Sequence, residues 1–386
     1  MPEAVVVGGG IGGLTCALAL RRVGWDVRVH ERAAAVRGIG AGISLWSNAI
    51  KCLRVLGMAD AVIAAGGVMD TSATIDQHGR DLGSIAVGDI SRAAGEPSIM
   101  IHRVDLLEIL YAAARDAGVE IRTGAECDRV EDDGTRAMAR FKHGGHDSGD
   151  VVVGADGIHS AVRSTLNGRE PARYAGYTAW RGIAAFDHPA LTGGGVFVLG
   201  PGSQMGVIRC GPGRVYWFIT RNGPQGQTEP REGWHAHLLA SYADWTEVAI
   251  GAIRATQPSD ILHNDIIDRP PMKVWGRGRI TLLGDSVHST TPNMGQGGCM
   301  AIESALVLAK HLKGASDVKA ALRAYEAERR PRTARTTANS WKFGKVFQWQ
   351  NGFAVWLRAR LLRSSFSTRQ AIKSVSAMLQ WNPPSL

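Results

Sequence analysis

Cysteine is scarce in this sequence, and long hydrophobic runs are absent from it. The five cysteines lie far apart and form no Cys-x-x-Cys pair. This spacing argues against a disulfide framework and against a zinc site, and it favours a reduced compartment. No uninterrupted apolar run reaches the roughly 18 residues that a membrane-spanning helix needs. We therefore expect a soluble, cytoplasmic protein with no integral membrane segment and no bound metal.

We expect no signal peptide. An apolar run at residues 4–7 and a glycine cluster follow almost directly after the first residue and leave no room for its charged, apolar and cleavage regions. Apolar residues make up 45% of the chain and charged residues 20%, which excludes a mainly disordered protein. The length of 386 residues allows two domains, or one large core with an insertion.

The chain carries a net charge of +9, which would suit a nucleic-acid or anionic membrane partner. The excess is confined to residues 319–386, where thirteen Lys and Arg face only Glu326 and Glu328. Because the rest of the chain is nearly neutral, we expect no nucleic-acid partner. Residues 340–362 interleave aromatic and basic side chains at helical spacing, which predicts an amphipathic helix. This helix could pack against the rest of the chain, make a peripheral membrane contact, or form a dimer face.

The first thirty residues predict a β-α-β unit. Residues 4–7 form an apolar run typical of a strand that is buried on both faces. Residues 14–23 have helical periodicity, and residues 26–31 alternate as a second strand should.

The middle of the chain has a different character, since residues 174–269 are rich in Trp, Tyr and Gly and predict strands at 204–209 and 215–221. The α/β pattern then returns, with a strand at 280–283 and a helix at 298–312. We therefore predict an α/β fold with an α+β insertion. A nucleotide-binding domain takes residues 1–70, 97–172 and 270–335, a β-rich domain takes 71–96 and 173–269, and C-terminal basic amphipathic helices take 336–386.

A G-x-G-x-x-G pattern begins at Gly8, between the first strand and the first helix. Gly8 allows a tight turn, Gly10 lets the backbone approach a pyrophosphate, and Gly13 lets the helix pack closely on the strand. Glu31 ends the second strand, where a carboxylate can accept hydrogen bonds from ribose hydroxyls. Together these features predict dinucleotide binding.

Two further glycine-rich turns follow strands. Asp156 lies in the sequence Gly-Ala-Asp-Gly and is as well placed to cap a helix as to bind a ligand. Asp285 follows the strand at 280–283 and can bind sugar hydroxyls. Gly295 opens the sequence Gly-Gln-Gly-Gly at the start of a long helix, where bare amides would stabilise a ring that gains negative charge on reduction.

These three motifs, in this order and spacing, resemble the single-component FAD-dependent aromatic hydroxylases, the group typified by para-hydroxybenzoate and salicylate hydroxylases. The resemblance covers nearly the whole chain. It implies a Rossmann-like FAD domain interrupted by a β-sheet substrate domain, with NADH or NADPH and O2 as co-substrates. A flavin C4a-hydroperoxide would then hydroxylate or epoxidise an aromatic or polycyclic small molecule, and the cofactor would carry the hard chemical step.

The resemblance also implies which residues bind FAD, from the pyrophosphate to the flavin ring. They are Gly8, Gly10, Ile11, Gly12, Gly13, Glu31, Arg32, Ser44, Arg103, Cys127, Asp156, Asp285, Pro292, Gly295, Gln296, Gly297, Gly298 and Cys299. Arg37 either approaches the flavin or is solvated.

Within this group, residues 40–48, 174–177 and 295–299 most nearly resemble bacterial FAD-dependent urate hydroxylases. Tyr216 falls where those enzymes have an active-site tyrosine, but Gln204 or a neighbour replaces the arginine that should anchor urate. A urate anion would lose a bidentate contact there. Urate hydroxylation and a non-oxygenating reductase or cyclase of the same fold therefore remain alternatives.

Substrate contacts are expected from Trp46, Trp180, Arg181 and Tyr216, although the tryptophans could equally be core residues. Tyr216 or His288 could take a proton from a phenolic substrate. The alternatives are a packed strand tyrosine and a histidine that makes local hydrogen bonds. We expect a monomer or a homodimer.

Overall fold

The structure is a computed structural model that describes residues 1–36, 40–226 and 230–386, without the side chains of residues 365–368. The strands are β1 (Glu3–Val7), β2 (Asp26–His30), β3 (Gly42–Leu45), β4 (Gly67–Val68), β5 (Thr71–Asp76), β6 (Asp81–Ile85), β7 (Ile99–His102), β8 (Glu120–Arg122), β9 (Cys127–Asp132), β10 (Ala137–Phe141), β11 (His146–Gly149), β12 (Val151–Gly154), β13 (Arg173–Ala184), β14 (Gly194–Gly200), β15 (Ser203–Arg209), β16 (Val215–Asn222), β17 (Leu262–Asp268), β18 (Gly276–Arg277) and β19 (Ile280–Leu282).

The helices are α1 (Ile11–Arg22), α2 (Ser47–Val55), α3 (Ala59–Ala65), α4 (Val87–Ala94), α5 (Arg103–Asp116), α6 (Ala161–Asn167), α7 (Trp234–Ser241), α8 (Glu247–Arg254), α9 (Asp285–His288), α10 (Gly297–Leu312), α11 (Val318–Phe347), α12 (Gly352–Leu362) and α13 (Ser365–Leu379). Short 3-10 turns occur at Pro189–Leu191, Arg231–Gly233, Pro258–Asp260 and Pro292–Met294.

The α/β half of the molecule is built on a six-stranded sheet in the order β18-β19-β12-β1-β2-β8. β1 lies inside this sheet and pairs in parallel with β12 on one side and β2 on the other. Ala4, Val5 and Val6 are fully buried, as expected for a parallel strand that is covered on both faces. The α/β fold class predicted from the sequence is confirmed.

A second, seven-stranded sheet has the order β17-β13-β16-β15-β14-β5-β6. Its neighbouring strands are antiparallel except for the parallel pair β14 and β5. Successive residues of a strand point to opposite faces. Trp180, Trp217 and Ile219 therefore lie on one face, which we call the outer face, where they share a core cluster with α7 and α8 residues.

The opposite face of this sheet, the inner face, carries Arg181, Ile183, Gln204, Tyr216 and Phe218. It is turned towards β3, β7 and the turn before α10. Tyr216 and Ile208 share a core cluster with Met100 of β7. The hydroxyl of Tyr177 donates to Oδ1 of Asn293 at 2.7 Å. The inner face therefore packs against the small sheet β3-β7-β4 and against the turn before α10.

The C-terminal segment differs from the single helix predicted at residues 340–362. α11 runs to Phe347 with Pro331 inside it, and a separate helix, α12, starts at Gly352. The chain breaks because Asn351 caps the new helix, its Oδ1 accepting from the amides of Phe353 and Ala354. The amide of Gly202 also holds the carbonyl of Trp349 at 2.9 Å. The predicted domain boundary at 335/336 falls inside α11.

Across the described residues, no helix is long and apolar enough to cross a membrane.

Candidate active site

Two glycines in the turn between β1 and α1 lie so close to the backbone that a larger residue would have to displace it. Gly8 has a φ of +112°, and a Cβ there would stand 2.3 Å from the carbonyl oxygen of Ala155. A Cβ on Gly13 would stand 1.9 Å from the carbonyl oxygen of Gly8. A Cβ on Gly10, in contrast, would meet no protein atom within 4 Å. The turn is therefore packed on one side and open at Gly10.

The open side of this turn faces the start of α1. Gly10 is the N-cap residue and no side chain caps the helix. The amides of Ile11, Gly12 and Gly13 belong to the first turn of α1 and have no acceptor inside the helix. Together with the helix dipole, these amides form a site suited to a pyrophosphate.

The carboxylate of Glu31 lies beside this turn. One of its oxygens accepts from the amide of Gly9 at 2.7 Å, and the other accepts from the amide of Ala33 at 2.9 Å. These bonds fix the carboxylate at the end of β2 with lone pairs left over for ribose hydroxyls. Arg32, the next residue, is exposed.

Asp285 and Arg103 line the cleft from opposite elements. Asp285 begins α9 and is exposed to solvent, yet protein atoms crowd it, as expected for a carboxylate on the wall of a cleft. This crowding raises the pKa of Asp285, and the positive charge of Arg103 opposes the rise. Arg103 begins α5, and its own side chain is exposed. The pair therefore presents one negative and one positive group to the cleft.

The N-terminus of α10 forms the far end of the cleft. Gly295 has a φ of +61°, and a Cβ there would stand 2.3 Å from Oγ of Ser44 and 2.9 Å from Nε1 of Trp46. Gln296 is the N-cap residue, with no side-chain cap hydrogen bond. The amides of residues 297–299 are left without helix acceptors, so this turn can stabilise negative charge.

The segment 295–299, which joins the turn before α10 to the first residues of that helix and is called the loop at 295–299, is held against Ser44 of β3 by Cys299. The thiol of Cys299 contacts the carbonyl of Ser44 at 3.6 Å and accepts from the amide of Trp46 at 3.4 Å. Burial raises the pKa of this thiol to about 12, so it stays neutral. The indole Nε1 of Trp46 is buried and has no partner among the described residues.

These elements together fit FAD. The open space at Gly10 and the bare amides of α1 suit the pyrophosphate, Glu31 suits the adenosine ribose, and Asp285 suits the ribityl chain. The uncapped start of α10 suits the ring, since its amides face negative charge that develops there. The predicted residue Pro292 lies in the turn just before this helix.

The inner face of the seven-stranded sheet forms the opposing wall. Tyr216 is 7% exposed, and burial raises the pKa of its phenol, an effect that Arg181 opposes. Arg181 is half-buried and has no ion pair or hydrogen bond with any described residue. Gln204 is 5% exposed and lies on this face beside Thr220 of β16. The structure thus brings Arg181, Tyr216 and Gln204 onto one surface.

Trp180 lies on the other face of the sheet, which favours the core role that the sequence left open for it over a substrate contact. Its side chain points to the outer face, where its ring stacks on His263 at 4.2 Å between centroids and lies under Arg221 at 4.8 Å. It pairs across the sheet with Ile219, also an outer-face residue. Because side chains alternate along a strand, Arg181 faces inward and Trp180 cannot.

His288 has two predicted roles, proton transfer from the substrate and local hydrogen bonding. Its Nε2 lies 3.2 Å from Oγ of Ser304, and its ring packs against Trp275. Burial, aided by the charge of Arg329, lowers its pKa to about 3. The ring is therefore neutral near pH 7 and is enclosed by residues that do not belong to the cleft. These contacts favour the second of its two predicted roles, a histidine that makes local hydrogen bonds.

Asp156 acts as a helix cap, one of its two predicted roles. One of its carboxylate oxygens accepts from the amides of Ala161 and Val162 at 2.7 and 3.2 Å. The other is buried and unpartnered within the described part of the chain. Cys127 lies close enough for the charge of Asp156 to affect it, and burial raises the pKa of that thiol to about 12. Neither residue's contact with a cofactor is tested by these bonds.

A buried network of hydrogen bonds and ion pairs lies beneath the loop at 295–299 and was not predicted from the sequence. Nδ2 of Asn48 donates to Oε1 of Gln296 at 3.1 Å and to Glu303 at 2.6 Å. Glu303 is fully buried and pairs with Arg329 at 2.8 Å and with Arg332 at 2.7 Å. Although burial opposes ionisation, the two guanidinium groups hold the pKa of Glu303 below its usual value. No sequence signal links Asn48 to residues about 250 positions away.

Gln296 consequently points into this network, and its Nε2 is buried without a described partner. Its prediction as a cofactor-binding residue therefore rests on its backbone. Arg37, considered above as a flavin neighbour, lies outside the described residues.

A Rossmann-like sheet with three glycine-rich turns, faced by a separate β-sheet wall, defines the class of FAD-dependent monooxygenases. The chain belongs to the family described as FAD binding domain, whose model matches residues 1–340. FAD is its cofactor, and the predicted resemblance to aromatic hydroxylases is confirmed.

Three characterised relatives support this class. The aurachin C monooxygenase/isomerase of Stigmatella aurantiaca is 39% identical over 365 residues, covering 95% of this chain and 94% of that protein. The FAD-dependent urate hydroxylase of Klebsiella pneumoniae is 36% identical over 332 residues, covering 85% of each. The chloroplastic zeaxanthin epoxidase of Oryza sativa is 38% identical over 349 residues, covering 85% of this chain and 53% of that protein.

Solved structures agree with this assignment. Klebsiella pneumoniae HpxO complexed with FAD and uric acid superposes with a TM-score of 0.91 at 32% identity, covering 98% of this chain and 96% of that one. An Arg-to-Gln variant of HpxO complexed with FAD gives the same TM-score and identity, covering 98% of both chains.

Proposed function

We propose that this monooxygenase hydroxylates or epoxidises an aromatic or polycyclic small molecule between the loop at 295–299 and the inner face, with NADH or NADPH as electron donor. The observation that carries the proposal is the half-buried guanidinium of Arg181, which lies near Tyr216 and has no partner among the residues that the structure describes. A buried cation costs free energy unless a partner compensates it. A substrate oxygen that carries negative charge would supply that partner.

The cofactor, when bound, supplies oxygen activation and transfer. The chain's own part is to hold charge and substrate in place. The amides at the start of α10 stabilise negative charge on whatever ring lies against them. The pKa of Tyr216 is raised, so its hydroxyl stays protonated near pH 7 and donates a hydrogen bond to the substrate.

The rest of the wall selects for a flat apolar body. Phe197 and Phe218 pack edge to face with centroids 6.1 Å apart, and Tyr216 lies 6.0 Å from Phe218. Aromatic side chains of this kind favour contact with another ring. The substrate class that suits this wall therefore combines a ring with one anionic or strongly polarised oxygen.

The direct test measures NADH and NADPH oxidation and O2 uptake by the purified yellow protein against a panel of phenols, quinolines and purines. Substrate-stimulated uptake, with one atom of labelled O2 entering the product, is the expected result. Oxidation of NAD(P)H with no O2 uptake for any compound would reject oxygenation in favour of a reductase. The faster of the two nicotinamide donors would identify the physiological one.

Urate hydroxylation is a second candidate, supported by the similarity to urate hydroxylases and to HpxO with bound uric acid. Gln204 opposes it, since an amide on the inner face cannot form the bidentate contact of a guanidinium. A Gln204→Arg variant tests this point. If the wall is otherwise built for urate, the variant gains at least about tenfold in kcat/KM for urate, as expected for one charge-assisted contact. High urate turnover by the unmodified protein would make this the main function.

We also propose that the protein works in the cytoplasm as a monomer or homodimer. All five cysteines are free and buried, which suits a reduced compartment. Size-exclusion chromatography with light scattering would measure the oligomeric state.

A further inference from the structure

Helix α12 exposes aromatic side chains and buries an arginine, the reverse of what a surface helix of a globular protein usually does. Phe353 and Trp356 are 70% and 55% exposed, whereas Arg358 on the same helix is 3% exposed. The guanidinium of Arg358 donates to the carbonyl of Phe347 at 2.5 Å and to the carbonyl of Gly200 at 2.9 Å. Arginine is almost never buried unless it is paired, and large aromatic side chains are rarely left in water. The orientation of α12 therefore needs an explanation.

The exposed apolar surface extends beyond α12. Of the eight large apolar side chains that are exposed in the described part of the chain, five lie between residues 343 and 372. We call this surface the C-terminal face, and its residues are Phe343, Phe353, Trp356, Leu361 and Ile372. The rings of Phe353 and Trp356 stack at 5.8 Å. Exposed apolar side chains that adjoin one another, as Phe353 and Trp356 do, mark an interaction surface.

The C-terminal segment that carries this face has charge of one sign only, although Asp81 of β6 and Asp89 of α4 are exposed on neighbouring elements. No Asp or Glu follows Glu328, while residues 329–386 contain eleven Lys and Arg. Arg360 is exposed on α12 one turn from Trp356 and lies over its ring at 5.7 Å. Arg369 and Lys373 of α13 are exposed as well. The partner that complements this face is therefore anionic and apolar together.

We propose that the C-terminal face docks onto the surface of an anionic lipid bilayer. Trp and Phe insert at the boundary between headgroups and acyl chains, while Lys and Arg reach the lipid phosphates. Each basic side chain near such a surface adds attraction, and no carboxylate on the segment opposes it. A second copy of the chain is a poorer partner, because a two-fold interface would set this basic face against itself.

Hydrogen bonds attach α12 and the residues before it to the rest of the molecule. Besides the bonds of Arg358, the amide of Gly202 binds the carbonyl of Trp349, and Nε2 of Gln348 donates to Thr220 at 2.5 Å. The carbonyl of Leu362 also lies close to Gly83 of β6. Docking would thus orient the whole enzyme, with the edge of the seven-stranded sheet next to the membrane.

Sedimentation with vesicles tests the proposal on the FAD-loaded protein. Vesicles of phosphatidylcholine alone are compared with vesicles that contain about a quarter phosphatidylserine. Two double variants are used, Phe353→Ser with Trp356→Ser and Arg360→Gln with Lys373→Gln. The matched control is Lys273→Gln with Val274→Ser, a basic and an apolar exposed pair on another surface.

The unmodified protein should bind the anionic vesicles and bind the neutral ones weakly. Each face variant should lower the partition coefficient at least about tenfold, while the control stays within about twofold. FAD content and activity on a water-soluble substrate should not change in any variant. Lipid carrying brominated acyl chains should quench fluorescence in the unmodified protein, and a Trp356→Phe variant should lose that quenching.

Three results would overturn the proposal. Equal binding to neutral and anionic vesicles, or none to either, would remove the bilayer as partner. A dimer in vesicle-free buffer that the aromatic double variant dissociates would assign the face to self-association. Tight, salt-sensitive binding of a single-stranded oligonucleotide without vesicle binding would assign it to nucleic acid.

Discussion

The ring of Tyr216 lies directly against the backbone of Gly42. A Cβ at residue 42 would stand only 2.3 Å from Cγ of Tyr216. Gly42 belongs to β3, which contacts the loop at 295–299, and Tyr216 belongs to β16 on the inner face, so this contact joins the two walls of the proposed site. Gly42 is not among the glycines with positive φ. Glycine is therefore needed here for space and not for backbone conformation.

Gly42→Ala should destabilise the protein by about 1–3 kcal/mol, because the added methyl overpacks a filled contact. The cost should shrink in a Tyr216→Ala background, where the ring is gone. A double-mutant cycle by urea unfolding measures this coupling. Gly233→Ala serves as control, since a Cβ there meets nothing within 4 Å. Additive changes in the free energy of unfolding would show that the Tyr216 ring is not what excludes a side chain at residue 42.

Gly10 and Gly13 should respond differently to the same substitution. Gly10→Val should leave the apoprotein folded, because its side chain enters open space, but the side chain would occupy the pyrophosphate position and abolish FAD retention. Gly13→Val should prevent stable folding, since its Cβ would stand 1.9 Å from the carbonyl oxygen of Gly8. Flavin absorbance and thermal melts of the apoproteins distinguish the two. A Gly10→Val protein that keeps FAD would contradict the assignment of the pyrophosphate to the open space at Gly10.

Arg181→Gln should raise KM for the substrate roughly 10- to 100-fold, the range for loss of a charged hydrogen bond. FAD affinity and the rate of flavin reduction should change little, because the residue belongs to the sheet wall. Steady-state kinetics and FAD titration measure these quantities. Arg254→Gln, an exposed arginine paired with Glu247, is the control. An unchanged KM would remove Arg181 from the substrate site.

His288→Asn should leave the pH profile of kcat unchanged and should reduce the sensitivity of folding to acid. The pKa of His288 is lowered to about 3 in the folded protein, against 6.5 for the free side chain. The unfolded state therefore takes up a proton first, and stability falls as pH drops from about 6.5 towards 3. The slope from this one group is about 1.4 kcal/mol per pH unit. Unfolding free energies of both proteins between pH 7 and pH 4 measure this difference. A shift in the pH profile of kcat in the variant would instead support a catalytic role for His288.

Local sequence was sufficient for the cofactor cradle. The strand, the glycine turn and the helix at the N-terminus are neighbours in sequence, so their geometry follows from short-range sterics and from the buried pattern of Ala4 to Val7. Gly13 had to be glycine for the reason given by the sequence, close packing on the strand. Glu31 was found in the same way, because β2 returns its end to the turn.

The side chains on the inner face, the proposed substrate wall, could not be predicted from local sequence. Trp180 and Arg181 are adjacent, and the sequence offered both as contacts, but only one of two neighbouring side chains can face the site. Strand parity is fixed by pairing with Ile219 and Phe218, some forty residues later. His288 likewise follows the glycine-containing turn at Asp285 in the sequence, yet its ring contacts Ser304 and Trp275, which come from other parts of the chain.

The sequence by itself determined the class of protein, because nucleotide binding depends on short segments whose backbone shape is local. It also located the basic excess near the C-terminus. Only the tertiary structure decided which side chains meet across long separations, such as Asn48 with Glu303, and which face of α12 is turned to solvent. Those outcomes depend on the packing of distant elements, where burial and pairing outweigh any local preference.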